Sequence, residues 1–220
     1  MTTMIEVPHG KPEAPADCTL CPRLVAYREE NARKHPDWFN GAVPSFGDEK
    51  ASLLIVGLAP GVTGANKTGR PFTGDWAGDL LYATTDKFGF STGDYAAHPD
   101  DGLELTGAMI TNAVRCVPPA NKPVGAEVNQ CRPFLRNRIA ALPNLKVILC
   151  LGKIAHDSTV RTLSLKLRDH PFSHASEYPL ESGVTLLSSY HCSRYNTNTR
   201  RLTPEMFESV FDRARTIISG

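Results

Sequence analysis

The sequence contains no long hydrophobic run and has almost no net charge. No stretch approaches the ~18 apolar residues that cross a membrane. We expect no signal peptide, because no cationic start precedes an apolar stretch near the N-terminus. The 24 basic and 23 acidic side chains give a net charge of +1, which excludes a uniformly basic coat for nucleic acid but allows a local basic patch. We therefore expect a cytoplasmic protein with no membrane partner.

Internal repeats and low-complexity tracts are also absent, and 220 residues suit one domain. We expect a single domain over residues 1–220, with residues 1–16 as a loosely ordered tail because they are polar and rich in Pro and Gly. In a reducing compartment the six cysteines are not expected to form three structural disulfides.

Four short apolar runs predict buried strands, because they lack the strict alternation of a strand with one wet face. These runs are residues 52–59, 107–114, 145–151 and 184–190. Helices are predicted for residues 18–34, 76–87, 126–142, 153–163 and 204–218. Strands that alternate with helices predict an α/β fold with a parallel sheet.

Ligands of such sheets bind beyond the carboxyl ends of the strands. Three loops follow predicted strands and carry polar or glycine-rich sequence, at residues 57–78, 115–122 and 191–201. We expect these three loops to converge on one cleft.

The cysteines predict a metal site. Cys18 and Cys21 form a C-x-x-C pair, a spacing at which two thiolates bind one metal centre. Cys116 follows the second strand and Cys131 lies in the next helical region. The cysteine count does not separate zinc from an iron–sulfur cluster, and redox chemistry or simple burial of Cys116 and Cys131 remain alternatives. Cys150, inside an apolar strand, fits a buried structural residue.

The segment 57–75 is rich in glycine, which permits close backbone approach and positive φ angles. It is not a P-loop, because Asn66 rather than Gly precedes Lys67, and it lacks the spacing of a dinucleotide-binding GxGxxG. Phe72 can stack on a planar ligand or fill the core. Asp75 can cap the following helix or polarise a water in the cleft.

Several motifs together resemble the type-5 uracil-DNA glycosylases of the uracil-DNA glycosylase superfamily. They are GLAPG with GANKTGRPFTGD after the first strand, TNAVRC with PPANKP after the second, and YHCSRYNTNTRRLTPEMF after the last, over roughly residues 17–212. The resemblance implies a three-layer α/β/α sandwich with a central, mainly parallel four-stranded sheet. It also implies a DNA repair enzyme that flips uracil out of DNA and hydrolyses its N-glycosidic bond. We expect the protein to be a monomer. Hypoxanthine and xanthine are expected as further substrates.

The same resemblance implies a [4Fe-4S] cluster on Cys18, Cys21, Cys116 and Cys131. We expect its role to be structural, because hydrolysis needs no electrons. Type-4 relatives carry an acidic residue where Leu58 stands here, which favours the type-5 assignment. The residue after the motif His is Cys192, where relatives more often carry Pro.

The expected chemistry places positive charge on the sugar and negative charge on the departing base. By resemblance, Asp75 activates or orients water and opposes the positive charge, and Asn121 helps to hold that water. His191 donates a hydrogen bond to the base oxygen that gains charge. The structural alternatives are a helix cap for Asp75, a turn residue for Asn121 and a structural role for His191.

Base contacts are expected from the backbone of Leu58, Ala59 and Pro60 and from the amide of Asn112, which can both donate and accept. The ring of Phe72 is expected to stack on the flipped base. A hydrogen bond at the end of the strand is the structural alternative for Asn112.

Basic side chains in the loops are expected to contact DNA phosphates. They are Lys67, Arg70, Arg194, Arg200 and Arg201, with Asn196 and Asn198 beside them. Their alternative is an ordinary solvated loop. Three other functions are also consistent with the sequence. They are a type-4-like glycosylase restricted to uracil, a non-catalytic iron–sulfur protein that binds nucleic acid or senses redox state, and a zinc-stabilised module that binds nucleotides.

Overall fold

The computed structural model describes residues 10–220 of the chain. The helices are α1 (Pro22–Lys34), α2 (Ala65–Thr68), α3 (Trp76–Lys87), α4 (Gly125–Ala140), α5 (Lys153–Thr162), α6 (Arg194–Asn198) and α7 (Pro204–Ser219). The strands are β1 (Phe46–Gly47), β2 (Leu53–Gly57), β3 (Ser91–Thr92), β4 (Glu104–Leu105), β5 (Ala108–Asn112), β6 (Val147–Leu151), β7 (Glu177–Pro179) and β8 (Thr185–Ser189). The five long helices predicted from the sequence are confirmed. Within residues 10–220, none of the helices combines the length and the apolar composition that crossing a bilayer takes.

The main sheet has the strand order β1-β5-β2-β6-β8-β7. Its four central strands are parallel neighbours and correspond to the four predicted strands. The prediction of a four-stranded sheet is wrong in number, because β1 and β7 pair antiparallel at the two edges. These edge strands have two and three residues, too few to form an apolar run, so their pairing rests on backbone hydrogen bonds. The strands β3 and β4 form a separate small hairpin.

Helices cover both faces of the sheet. Leu53 and Ile55 of β2 pack with the residues of α3 and α7, whereas Leu54 and Val56 pack with the residues of α4 and α5. This alternation follows from the period of two along a strand. Full burial of one such aliphatic side chain stabilises the fold by about 1.5–3 kcal/mol. The predicted three-layer α/β/α sandwich is therefore confirmed.

The first residues of α7 and α1 show how these two helices begin. The side chain of Thr203 accepts a hydrogen bond from the Met206 backbone at 3.2 Å, and Pro204 occupies the first position of α7, as the sequence predicts. Helix α1 begins at Pro22 rather than at Cys18. Since Cys21 is its N-cap with extended backbone, Cys18 and Cys21 lie on the chain that approaches the helix.

The N-terminal segment differs from the expected loose tail. Residues 1–9 lie outside the described residues. From Gly10 onward the expectation does not hold, because Ala14 is buried and the Glu13 carboxylate accepts hydrogen bonds from Arg115 at 2.8 Å and Arg138 at 2.7 Å. These partners are 102 and 125 residues away along the chain, so no local pattern reveals them.

Candidate active site

A cavity of about 480 Å3 lies at the carboxyl ends of the parallel strands. The loop after β2 contributes Leu58, Phe72 and Asp75, the segment after β5 contributes Asn121, and the segment after β8 contributes His191. The predicted convergence of three loops on one cleft is therefore confirmed. The cavity is also lined by the remaining residues predicted for base contact, Ala59, Pro60 and Asn112.

Phe72 is buried at the wall of the cavity, and its ring stacks on the ring of His191 with centroids 5.8 Å apart. Its φ angle is 55°, a left-handed conformation that costs a non-glycine residue about 1–2 kcal/mol. Gly57 permits this arrangement, because a Cβ there would lie 2.7 Å from the Phe72 ring. The glycine at the end of β2 is thus required for the ring to reach the cavity.

Asp75 combines the two roles that the sequence leaves open. Its Oδ1 accepts a hydrogen bond from Gly78 N at 3.1 Å and so caps α3, while the side chain also lines the cavity. Burial raises the pKa of Asp75 above its ordinary value of 3.8, although hydrogen bonds from the backbone of Gly78 and Ala77 act in the opposite direction. The carboxylate is therefore held rigidly by one oxygen at the edge of the cavity.

Two buried polar atoms in the cavity wall have no hydrogen-bond partner among the described residues: Oδ1 of Asn112 and Nδ1 of His191. Buried polar atoms are nearly always paired in folded proteins, so an unpaired one calls for an explanation such as a ligand. Burial lowers the pKa of His191 to about 4, so the imidazole is neutral at pH 7 and carries one N–H donor. Both groups can bind a polar ligand without carrying a charge.

Asn121 lies in the short 3₁₀ turn Pro119–Asn121 after β5. Its side chain is exposed and lines the cavity, and its φ angle of 54° is one that Asn tolerates better than most residues. Asn121 is therefore both a turn residue and part of the cavity lining.

One of the predicted phosphate-binding side chains lines the cavity, and two others line cavities that share residues with it. Arg194 lines it directly and lies 5.4 Å from the Trp76 ring. Arg201 lies 4.6 Å from the Tyr190 ring in a neighbouring cavity of about 300 Å3, and Arg200 lines a groove on the other side of Trp76. Lys67, 5.9 Å from the ring of Trp38, is further away and does not line the cavity.

The prediction that Arg70 contacts DNA is wrong. Arg70 is buried and binds Asp101 with two hydrogen bonds of 2.7 Å, in a pair whose side chains are 5% and 1% exposed. Its Nε donates to Thr73 at 2.7 Å. The guanidinium is thereby occupied inside the protein, and the partner lies 31 residues away, beyond the reach of a local motif.

The four predicted ligand cysteines, Cys18, Cys21, Cys116 and Cys131, line one small cavity between the start of α1, the segment after β5 and α4. The backbone N–H of Arg115 donates to Sγ of Cys131 at 3.3 Å. Among residues 10–220, no group of three or more His, Cys, Asp or Glu side chains stands close enough together to hold a single metal ion. A tetrahedral zinc site would need its sulfurs about 3.8 Å apart, given Zn–S bonds of about 2.3 Å.

The surroundings of these cysteines suit a cationic group. Burial raises the pKa of Cys116 to about 12 and of Cys131 to about 11, so thiolates there need positive charge beside them. Arg28 is buried nearby and donates to the carbonyls of Ala16 at 2.6 Å and Cys18 at 2.7 Å. Its Nε has no partner among the described residues. The donor set therefore fits an iron–sulfur cluster, whose presence stays a prediction.

The sequence pattern gives no role to Trp76 and Ser193, which also line the cavity. Trp76 is the first residue of α3, is 50% exposed, and its indole N–H donates to Thr197 at 3.1 Å. The sequence could have singled out Trp76 only by its position directly after Asp75, at the end of the glycine-rich loop.

Comparison with known proteins gives a consistent result. The family model of the uracil DNA glycosylase superfamily matches residues 44–215, a span that includes the main sheet and the whole cavity lining. A type-5 uracil-DNA glycosylase of Thermus thermophilus is 45% identical over 204 residues, covering 90% of this chain and 92% of that protein. One of Mycobacterium leprae is 40% identical over 90% of both chains. A type-4 uracil-DNA glycosylase of Sulfurisphaera tokodaii is 31% identical over 80% of this chain and 76% of that protein.

Proposed function

Because the chain belongs to the type-5 uracil-DNA glycosylases of the uracil-DNA glycosylase superfamily, we propose that it excises uracil and also hypoxanthine and xanthine from DNA. The enzyme class follows from the family: the chain is a DNA repair hydrolase that acts on N-glycosidic bonds. The observation that carries the proposed range of bases is the buried Asn112 side chain, whose Oδ1 has no partner among the described residues, in the wall of a cavity of about 480 Å3.

The three bases share the edge that an amide reads. Uracil presents an N–H and a neighbouring carbonyl oxygen, and hypoxanthine and xanthine present the same pair on their six-membered ring. An Asn side chain donates one hydrogen bond and accepts another, so it matches this pair in all three bases. Cytosine and adenine present the reverse order of donor and acceptor, so they do not match the amide in the same orientation, whereas guanine and thymine present the same order as uracil.

The cavity provides room for a purine as well as a pyrimidine. Ligand pockets span about 300–1,000 Å3, and this cavity of about 480 Å3 is not restricted to a single six-membered ring. Phe72 offers a flat ring in its wall, and stacking on an aromatic side chain tolerates every base because each has a π face. The Asn112 edge, rather than size, therefore separates uracil, hypoxanthine and xanthine from cytosine and adenine.

Cleavage requires that water bonds to the sugar carbon while the N-glycosidic bond breaks and its electron pair leaves with the base. In our proposal, Asp75 orients the water and stabilises positive charge on the sugar, with Asn121 as a second contact to the water. Neutral His191 donates a hydrogen bond to the base oxygen that becomes negative. The proton released by the water ends on the departing base, so no other reactant is needed.

We further propose that Arg194, Arg200 and Arg201 bind the phosphates on either side of the flipped nucleotide. Arg194 and Arg201 lie against aromatic faces, and their N–H groups bond to no side chain or backbone group of residues 10–220, so they are available to phosphate oxygens.

Cys18, Cys21, Cys116 and Cys131 would hold a [4Fe-4S] cluster in this proposal. When bound, such a group supplies a cross-link between the start of α1 and the segment after β5, and hydrolysis draws no electrons from it. The support is the common cavity of the four thiols, the N–H donor to Cys131 and the buried Arg28 beside them. Cys116 precedes Asn121 by only five residues, so the cluster would brace the turn that carries Asn121.

The test is base release from matched oligonucleotides that carry uracil, hypoxanthine or xanthine at one position, as single strands and as duplexes. We expect release of all three and no release of cytosine or adenine placed at the same position, because these two bases present the reverse order of donor and acceptor. Release of uracil alone would identify a type-4-like specificity and refute the proposed range. DNA binding without any release would favour the non-catalytic alternative.

The residue assignment is tested by Asp75→Asn. Asn is as good a helix cap as Asp, so this change keeps α3 capped and removes only the charge. We expect the single-turnover rate to fall by about 10²-fold or more, with the melting temperature close to that of the parent protein. An unchanged rate would show that Asp75 is only a helix cap.

A further inference from the structure

The hydroxyl group of Tyr95 links two points of the glycine-rich loop. It accepts a hydrogen bond from Gly74 N at 3.3 Å and donates one to the carbonyl oxygen of Phe72, also at 3.3 Å. Gly74 directly precedes Asp75. We propose that Tyr95 is a positioning residue that holds Phe72 and Asp75 in their places at the cavity. This inference rests on the proposed roles of Phe72 and Asp75.

The backbone between these two points needs such support. Phe72 has a φ angle of 55° and Gly74 one of 84°, and a strained aromatic residue keeps such a conformation only when its surroundings impose it. Gly78 is part of these surroundings, because a Cβ there would collide with the Phe72 carbonyl and would lie 2.6 Å from the Tyr95 hydroxyl. The absence of a side chain at position 78 is therefore what lets the hydroxyl reach the Phe72 carbonyl.

The buried Arg70–Asp101 pair holds Tyr95 itself. Asp101 accepts hydrogen bonds from Ala96 N at 2.9 Å and Leu103 N at 3.0 Å, which closes the loop between β3 and β4 around the carboxylate. The Arg70 guanidinium lies 5.9 Å from the Tyr95 ring. The Tyr95 ring in turn stacks on Tyr82 with centroids 4.5 Å apart.

The Arg70–Asp101 pair connects the two loops that border the site. Arg70 belongs to the glycine-rich loop and Asp101 to the hairpin loop, so their two hydrogen bonds fasten one loop to the other. Thr73, between Phe72 and Gly74, accepts the remaining Nε bond of Arg70. Reacting groups misplaced by about 1 Å lose about 10²-fold in rate, and this network opposes such a displacement.

Tyr95→Phe is the test, because it removes the hydroxyl and keeps the ring on Tyr82. We expect the maximal single-turnover rate of uracil release to fall by about 10-fold or more. The DNA concentration that gives half of this rate should change by less than the rate does, because Tyr95 does not line the cavity and the proposed phosphate contacts stay unchanged. The matched control is Tyr178→Phe, which loses a hydrogen bond of the same kind, from Tyr178 to the Pro171 carbonyl at 2.6 Å, on edge strand β7.

If Tyr95 only stabilises the fold, both variants lose melting temperature and keep the parental rate, which overturns the inference. A rate loss confined to Tyr95→Phe supports it. Asp75→Asn, measured in parallel, separates the two proposals. An unchanged rate in Asp75→Asn refutes the role of Asp75 and this inference with it, whereas a slow Asp75→Asn beside a fully active Tyr95→Phe refutes the positioning alone.

Discussion

Replacing Glu13 by Gln tests how the N-terminal segment is held on the protein. The Glu13 carboxylate accepts hydrogen bonds from Arg115 and Ser45 on one oxygen and from Arg138 on the other. The two arginine side chains are 1% and 4% exposed, while Glu13 itself is 27% exposed. Neutralising Glu13 thus leaves two buried positive charges without their common partner.

The expected loss of stability follows from these burials. Breaking a buried ion pair by removing one partner costs about 3–5 kcal/mol. The lower value applies here, because Glu13 is partly in contact with water. A loss of about 3 kcal/mol corresponds to a drop of about 6–12 °C in melting temperature for a protein of this size. The measurement is thermal and urea unfolding of the intact protein with its N-terminus.

Glu49→Gln is the matched control. Glu49 pairs with the same Arg138, but its side chain is 69% exposed. Exposed ion pairs contribute about 0–1 kcal/mol, so this variant should lose at most about 1 kcal/mol. Equal losses in the two variants would refute the idea that burial sets the strength of the Glu13 interaction.

The effect of Glu13→Gln also depends on pH. Burial alone would raise the pKa of Glu13, but the charge of Arg115 and the hydrogen bonds from Ser45 and Arg138 together lower it below its ordinary value of 4.5. A lowered folded-state pKa contributes stability that is present above the ordinary value and is lost as the pH falls through the folded value. The difference in unfolding free energy between parent and variant should therefore shrink below pH 4.5.

Three further predictions concern the candidate site. Burial raises the pKa of Asp75 above 3.8, so base release by the parent should decline as acid protonates Asp75, and Asp75→Asn should lack this decline. A decline of equal size in the variant would show that another group causes it. Cys116→Ser should lose iron and its visible absorption while Cys150→Ala, a buried core residue, keeps them; equal iron in both variants would contradict the ligand assignment. Arg200→Ala should reduce the salt dependence of DNA binding by about 0.9 units of slope per lost phosphate contact, whereas Arg213→Ala, paired with Glu177 at the sheet edge, should not.

The parallel centre of the fold could be predicted because each strand carries its own signal. A run such as LLIVG is apolar throughout, and only a strand covered on both faces accommodates it. The strands β1 and β7 escaped prediction because two or three residues carry no such signal. Each forms only by pairing with a neighbouring strand, β1 with β5 and β7 with β8.

The cavity lining could be predicted in the same way, because the carboxyl ends of parallel strands meet at one edge of the sheet. The identity of the family came from the motifs and not from composition or periodicity. Arg70 shows the limit of such reasoning, since it lies in the right loop but binds Asp101. Whether a loop arginine faces DNA or the interior depends on a carboxylate that folding brings near, and local sequence does not contain that information.

The near-zero net charge of the chain is compatible with DNA binding, because some of its arginines are paired with carboxylates and others are not. Arg70, Arg115 and Arg138 are buried and paired with carboxylates, Arg70 with Asp101 and the other two with Glu13. In contrast, Arg194 and Arg201 form no ion pair with any described residue and rest on the faces of aromatic rings beside the cavity. An aromatic face positions a guanidinium without neutralising it. The acidic side chains thus neutralise the arginines that stabilise the fold and not those beside the cavity. The net charge of the chain therefore does not describe the local charge that DNA would contact.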